Sequence, residues 1–177
     1  MSRYRQSSMN PYSHPELMTS LDMMTPGMMQ SPGMMPTPGM PSPMVSPLFI
    51  QDLREAINGE AQAIDFYKRL IEMAPNQRHV NYLTHIRNDE KKHLRMLTNL
   101  YVQLTGRRPD IRFTPVRFTT YREGLEKALD GELEAAELYR RMYLSVQDRR
   151  KRDVLFEIMT DEMEHQVRFA YLIDTVH

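Results

Sequence analysis

The chain has 177 residues, 26% of them charged, with 23 Lys plus Arg against 23 Asp plus Glu and therefore no formal net charge. That balance excludes a broad nucleic-acid surface, which needs a basic excess to displace counterions from phosphates, and no apolar run reaches the roughly 18 residues of a membrane span. The absence of Cys excludes disulfides, zinc ribbons and thiolate chemistry, so carboxylates and imidazoles are left as metal ligands.

Residues 1–45 form the first segment. Of the 16 Met and 12 Pro, 11 and 9 fall within residues 1–47, and Pro-Gly-Met recurs at Pro26, Pro32 and Pro38. Pro blocks a helix and Gly costs too much entropy to order, so a disordered, low-complexity tail is expected there. It carries no apolar run suited to a signal peptide, and a cytoplasmic protein is expected. Its thioethers suit a soft ion, but without interleaved His or Cys a flexible tail that docks to a larger assembly, such as a spore coat or shell, is the simpler reading.

Residues 46–177 are expected to form one domain of four amphipathic helices. Ser46-Pro47 reads as an N-cap with proline at the first helical position, and Pro75-Asn76 ends the segment. Leu53, Ile57, Glu60, Ile64, Tyr67 and Ile71 form its inward row by three-four spacing. A second helix over about 77–104 aligns Leu83, Ile86, Glu90, His93, Leu97 and Leu104. Gly106, Pro109 and Pro115 break it, and Thr120 with Glu123 reads as a capping box opening a third helix to about Val146. The third and fourth helices turn inward Leu125, Ala128, Glu132, Ala135, Tyr139 and Tyr143, then Leu155, Ile158, Glu162, His165, Phe169 and Leu172.

The two halves repeat at an offset of 72 residues. "INGEAQAIDFYKRL" from Ile57 matches "LDGELEAAELYRRM" from Leu129, and "NDEKKH" matches "TDEMEH". Glu60 maps to Glu132, Tyr67 to Tyr139, Asp89 to Asp161, Glu90 to Glu162 and His93 to His165. Glu60 and Glu90 are equidistant from Pro75, and Glu132 and Glu162 from Gln147, so each pair lies at one height of an antiparallel hairpin. The connection over about 105–118 is long enough to run the length of the bundle, so the hairpins can pack face to face across one crossover. An up-down-up-down bundle is the alternative.

Four carboxylates and two imidazoles in an apolar interior are unfavourable unless something neutralises them. Two divalent cations balance four carboxylates, and Glu-x-x-His puts two ligands on one helix face. Oxygen-rich ligation with one imidazole per ion suits iron, or else manganese. Glu60 and Glu132 are assigned as terminal ligands, Glu90 and Glu162 as bridging ligands, and His93 and His165 as the nitrogen ligands. Asp89 and Asp161 would accept the second ring proton of the histidine across the bundle. Tyr67 and Tyr139 would hydrogen-bond a ligand carboxylate or donate an electron or proton; the plainer alternative is amphipathic core.

With these motifs, residues 48–175 resemble the ferritin-like superfamily, in particular the rubrerythrin and bacterioferritin group. The resemblance implies a di-iron centre held by Glu60, Glu90, His93, Glu132, Glu162 and His165 that reacts with hydrogen peroxide or dioxygen. Rubrerythrins usually carry one more glutamate, where this chain has Ala135, which puts a redox-linked ligand switch in doubt. Without Cys there is no rubredoxin centre, so an external electron donor is required. The chain stops after the fourth helix, and a mineral-storing shell is not expected. The expectation is a non-haem di-iron peroxidase or ferroxidase that forms a homodimer and handles iron or oxidative stress. A non-catalytic metal-binding or structural assembly protein is the alternative.

Overall fold

The computed structural model describes residues 46–176; the expectations for residues 1–45 lie outside the described residues. Four helices follow one another: α1 (Pro47–Glu72), α2 (Gln77–Thr105), α3 (Tyr121–Ser145) and α4 (Arg149–Asp174). No strand occurs among the described residues, and no helix there is long and apolar enough to cross a membrane.

Each helix begins where a short polar side chain can satisfy a free backbone N–H. Ser46 accepts from Phe49 N at 3.1 Å, Asn76 from His79 N at 3.1 Å, Thr120 from Glu123 N at 3.1 Å and Asp148 from Lys151 N at 3.0 Å. The capping box at α3 is displaced by one residue. Glu123 takes the backbone N–H and hydroxyl of Thr119, at 2.8 and 2.7 Å, rather than the N–H of Thr120. α2 stops at Gly106, whose φ of 68° lies in the left-handed region that a Cβ disfavours.

α1 packs on α2 and α3 on α4 as hairpins; α1 also neighbours α3, and α2 neighbours α4. An up-down-up-down bundle would bring α2 against α3, so this is the crossover arrangement. The crossover climbs α1: Arg112 N donates to Asn58 Oδ1 at 2.8 Å, Gln62 Nε2 to the Thr114 carbonyl at 2.7 Å, and Arg69 to the Val116 carbonyl at 3.0 Å. At its upper end Gly124 sits under Leu70 and Phe118, where a Cβ would lie 2.5 Å from Leu70 Cδ1.

The interior has two apolar clusters. One holds Phe49, Leu53, Ile57, Leu97, Met142 and Leu155; the other holds Phe66, Leu70, Leu83, Ile86, Phe169 and Leu172. Each fully buried Leu, Ile or Phe contributes about 1.5–3 kcal/mol, and these clusters offset the cost of the polar layer between them. The inward row of α1 differs in detail from the sequence reading. Ile64 and Ile71 are half-buried, while Ala56, Phe66 and Leu70 are buried. Leu104, Ala135 and Tyr143 are half-buried as well. A straight helix drifts against a strict three-four spacing, and its wide apolar stripe takes in neighbouring positions.

Candidate metal centre

Among the described residues eight polar or charged side chains are buried, and six of them, Glu60, Glu90, His93, Glu132, Glu162 and His165, form the layer between the two apolar clusters. The structure divides these six into two overlapping groups, Glu60, Glu90, His93 and Glu162, and Glu90, Glu132, Glu162 and His165, within each of which ligand-type atoms lie within 4.8 Å of one another. Glu90 and Glu162 belong to both groups.

The imidazoles turn Nδ1 inward. His93 Nδ1 lies 3.0 Å from Glu90 Oε2, 3.1 Å from Glu162 Oε1 and 3.8 Å from Glu60 Oε2. His165 Nδ1 lies 3.2 Å from Glu90 Oε1, 3.3 Å from Glu162 Oε2 and 3.4 Å from Glu132 Oε2. The outward nitrogens cross between hairpins: His93 Nε2 meets Asp161 at 3.0 Å and His165 Nε2 meets Asp89 at 3.4 Å. The tyrosines cross as well. Tyr67 donates its hydroxyl to Glu132 at 2.5 Å, and Tyr139 donates to Glu60.

Burial and mutual repulsion set the protonation of the cluster. Burial first, then the charge of Glu90, pushes Glu60 well above the ordinary carboxylate range. Burial and then Glu162 push Glu132 up to about 8. For Glu162 burial acts upward too, but hydrogen bonds from Glu132 and the two histidines hold it low. Burial pulls both imidazoles down, and the surrounding carboxylates outweigh it, so His93 and His165 are raised and cationic. Burial, and then the nearby glutamates, raise Tyr67 and Tyr139, which stay neutral donors.

These protons leave the layer short of donors. One Nδ1–H cannot serve three carboxylates at once, and Glu90 Oε1 and Glu162 Oε1 are buried without a hydrogen bond. Each lies within 3.2 Å of an Nδ1, off the line that a bond requires. A cation that accepts several lone pairs at once satisfies such a cluster better than protons do. Four carboxylates and two imidazoles without thiolate fit iron or manganese.

Access comes from the α1–α3 side. A cavity of about 800 Å³ reaches Glu60 and Glu132 past Gly59, Ala63, Gly131 and Ala135, under Arg112 and Phe113 of the crossover. The outer aspartates are tethered in turn, a feature the sequence reading missed. Lys92 Nζ lies 3.0 Å from both Asp161 and Glu157, and half-exposed His85 lies 3.2 Å from Asp89. The repeat held a clue, since Glu157 stands where the first half has His85. His79 is buried between Tyr121 and Thr175.

The rubrerythrin family profile matches residues 51–173, most of the four helices. The chain belongs to the rubrerythrin family. It is 32% identical over 127 residues to the uncharacterized protein YhjR of Bacillus subtilis (strain 168), covering 72% of this chain and 88% of that one. Among solved structures, this rubrerythrin-family chain is similar to a hypothetical protein from Pyrococcus furiosus, with a TM-score of 0.65, 22% identity, and 71% and 88% of the two chains covered. It is also similar to a dodecameric thioferritin, the bacterioferritin-related protein of Bacteroides fragilis, with a TM-score of 0.64, 15% identity, and 72% and 84% covered. The fold is thus the ferritin-like four-helix bundle.

Proposed function

We propose that this rubrerythrin-family chain is a non-haem di-iron oxidoreductase of the peroxidase or ferroxidase type, acting on hydrogen peroxide or dioxygen with electrons from an external donor. The observation that supports this is the pair of overlapping, buried ligand groups sharing Glu90 and Glu162. When bound, two iron ions supply two-electron redox chemistry toward a small oxidant; manganese suits the same donors.

The chain's own residues have separate parts in this reading. Glu60 and His93 would hold one ion and Glu132 and His165 the other, with Glu90 and Glu162 available to both. Asp161 and Asp89 fix the orientation of the histidines through Nε2 and present Nδ1 inward. Tyr67 and Tyr139 hold the terminal carboxylates and are placed to hand a proton to them. The apolar clusters keep bulk water from the layer, and the α1–α3 cavity admits a small oxidant. Glu60, Glu132 and the imidazoles would give up their protons to hold the ions, so the interior would gain little net charge. In this reading the domain division falls at residue 46, the compartment is the cytoplasm, and the chain assembles with copies of itself, as the Bacteroides fragilis neighbour does.

The test is turnover. Iron-loaded protein is expected to consume peroxide or oxidise Fe(II), and Glu90→Ala or Glu162→Ala to abolish this while circular dichroism still shows the helices. Unchanged turnover in both variants rejects the proposal.

A further inference from the structure

The cavity between α1 and α3 has a charged mouth that the buried layer does not account for. On α3 its exposed lining reads Asp130, Glu134 and Glu137, positions four and three apart that share one helix face over about 10 Å. Like charges at that spacing repel. Elsewhere the exposed helix surfaces match a carboxylate with a cation four residues away, as in Arg122 with Glu126, Lys127 with Glu123 and Arg168 with Glu164. Among the described residues this row has no such match. Two cations lie within helical reach, Lys127 three residues before Asp130 and Arg141 four residues after Glu137, and both are turned elsewhere. Lys127 Nζ donates to Glu123 and to the Arg117 carbonyl, each at 2.7 Å, and Arg141 holds Asp52 at 3.1 Å. Arg112, the third cation lining the cavity, is paired with Asp110.

The internal repeat shows that the bundle does not require these charges. Seventy-two residues earlier the same row holds Asn58, Gln62 and Asp65. Asn58 and Gln62 fasten the crossover through Arg112 N and the Thr114 carbonyl, and Asp65 pairs with Arg69 at 3.0 Å. Every member of the α1 row thus has a structural task, whereas α3 brings three unmatched carboxylates to the same opening. The way down is clear: Gly59, Ala63, Gly131 and Ala135 line it, and a Cβ on either glycine would meet nothing within 4 Å. At the bottom the cavity reaches Glu90 and Glu162, each 1% exposed and each with an Oε1 that lacks a hydrogen bond. Carboxylates at the surface, small residues between and unsatisfied carboxylate oxygens below form a graded path for a cation. A neutral oxidant gains nothing from such a row, but a cleft lined by one sign of charge concentrates counter-ions and raises their association rate about 10–10³-fold.

We propose that Asp130, Glu134 and Glu137 form a capture site for hydrated divalent cations and deliver them through this slot to Glu60 and Glu132, which rests on the reading of the buried layer as a metal centre. The experiment is anaerobic stopped-flow addition of Fe(II) to the metal-free full chain. Tyrosine fluorescence follows loading, since the chain has no Trp and Tyr67 and Tyr139 bond the terminal carboxylates. The triple variant Asp130→Asn, Glu134→Gln, Glu137→Gln is expected to load at least about tenfold more slowly at about 10 mM salt and to lose most of that deficit at about 300 mM. Its final metal content is expected to equal that of the wild type. The same change of charge outside the cavity, Glu126→Gln, Asp153→Asn, Glu164→Gln, is expected to keep the rate within about twofold. Equal rates in the wild type and the mouth variant, an equal loss in the distant variant, or a lower final metal content in the mouth variant would each overturn the capture site and leave the metal centre standing. A wild type that takes up no Fe(II) would overturn the metal centre and the capture site with it. Unaltered helix content by circular dichroism confirms that the variants compared are folded.

Discussion

Removing one shared carboxylate is expected to have a larger effect on metal stabilisation than removing one terminal carboxylate, because Glu90 and Glu162 sit in both ligand groups while Glu60 and Glu132 each sit in one. At free metal about a hundredfold above the dissociation constant, each bound ion stabilises the folded chain by about 2.7 kcal/mol. Two ions then give about 5.4 kcal/mol, or about 20 °C in Tm at about 4 °C per kcal/mol for a domain of this size. Glu60→Gln or Glu132→Gln should keep about half of that increment, and Glu90→Gln or Glu162→Gln almost none of it. The assay is thermal unfolding with and without metal, alongside elemental analysis, where metal content should fall from two ions to one and to none. Gln preserves volume, so packing stays comparable across the series. If the Glu90 and Glu60 variants keep equal increments, the sharing of Glu90 between two ions is refuted.

Three further outcomes follow from local structure. Tyr67→Phe leaves Glu132 without the hydroxyl that bonds it at 2.5 Å, and in metal-free protein should lower stability by about 1–3 kcal/mol; an unchanged denaturant midpoint would show that this bond contributes nothing. Gly124→Ala should destabilise by about 1–3 kcal/mol despite the better helix propensity, because its Cβ would lie 2.5 Å from Leu70 Cδ1. Gly59→Ala and Gly131→Ala meet nothing within 4 Å and should stabilise by about 0.5–1 kcal/mol, so urea denaturation of the three variants separates packing from propensity. His79 is held below its ordinary value of 6.5, first by burial and then by Arg78. The unfolded chain therefore binds its proton more readily. The stability contributed by neutral His79 is complete above about pH 6.5 and declines as the pH falls below it. Urea midpoints measured from pH 5 to 8 should show a part of this acid loss absent from His79→Gln, and identical profiles would remove His79 as its source.

Much of the centre was legible because two constraints coincide in the same residues. Glu60, Glu90, His93 and their repeat partners are polar residues on otherwise apolar rows, and equidistance from Pro75 and Gln147 set their heights before any coordinates. The starts of α1 and α3 were legible because Ser46 and Thr120 are caps whose chemistry is local, whereas Asn76, read as the end of α1, also caps α2. The crossover was less so: its length permitted two topologies, and the neighbours the helices take, α1 beside α3 and α2 beside α4, decide between them. Neighbouring positions within the inward rows, such as Ile71 against the buried Leu70, were not separable, since a spacing rule cannot place a helix about its own axis to better than a residue. The tether of Lys92 to Asp161 was invisible for another reason: both side chains are partly solvent-exposed, and no periodicity marks a contact between surfaces of different helices.

Every polar contact that steadies the ligand layer from outside joins one half of the chain to the other: Tyr67 to Glu132, Tyr139 to Glu60, Asp161 to His93 and Asp89 to His165. Neither hairpin contains the partners for its own ligands, yet each contains the partners for its twin's. Two identical hairpins meeting about a twofold axis would recreate the whole arrangement, which makes a fused pair of once-separate subunits the simplest ancestry for this bundle. After such a fusion, drift at the centre is checked by the opposite half, whereas the outer faces are free to specialise separately.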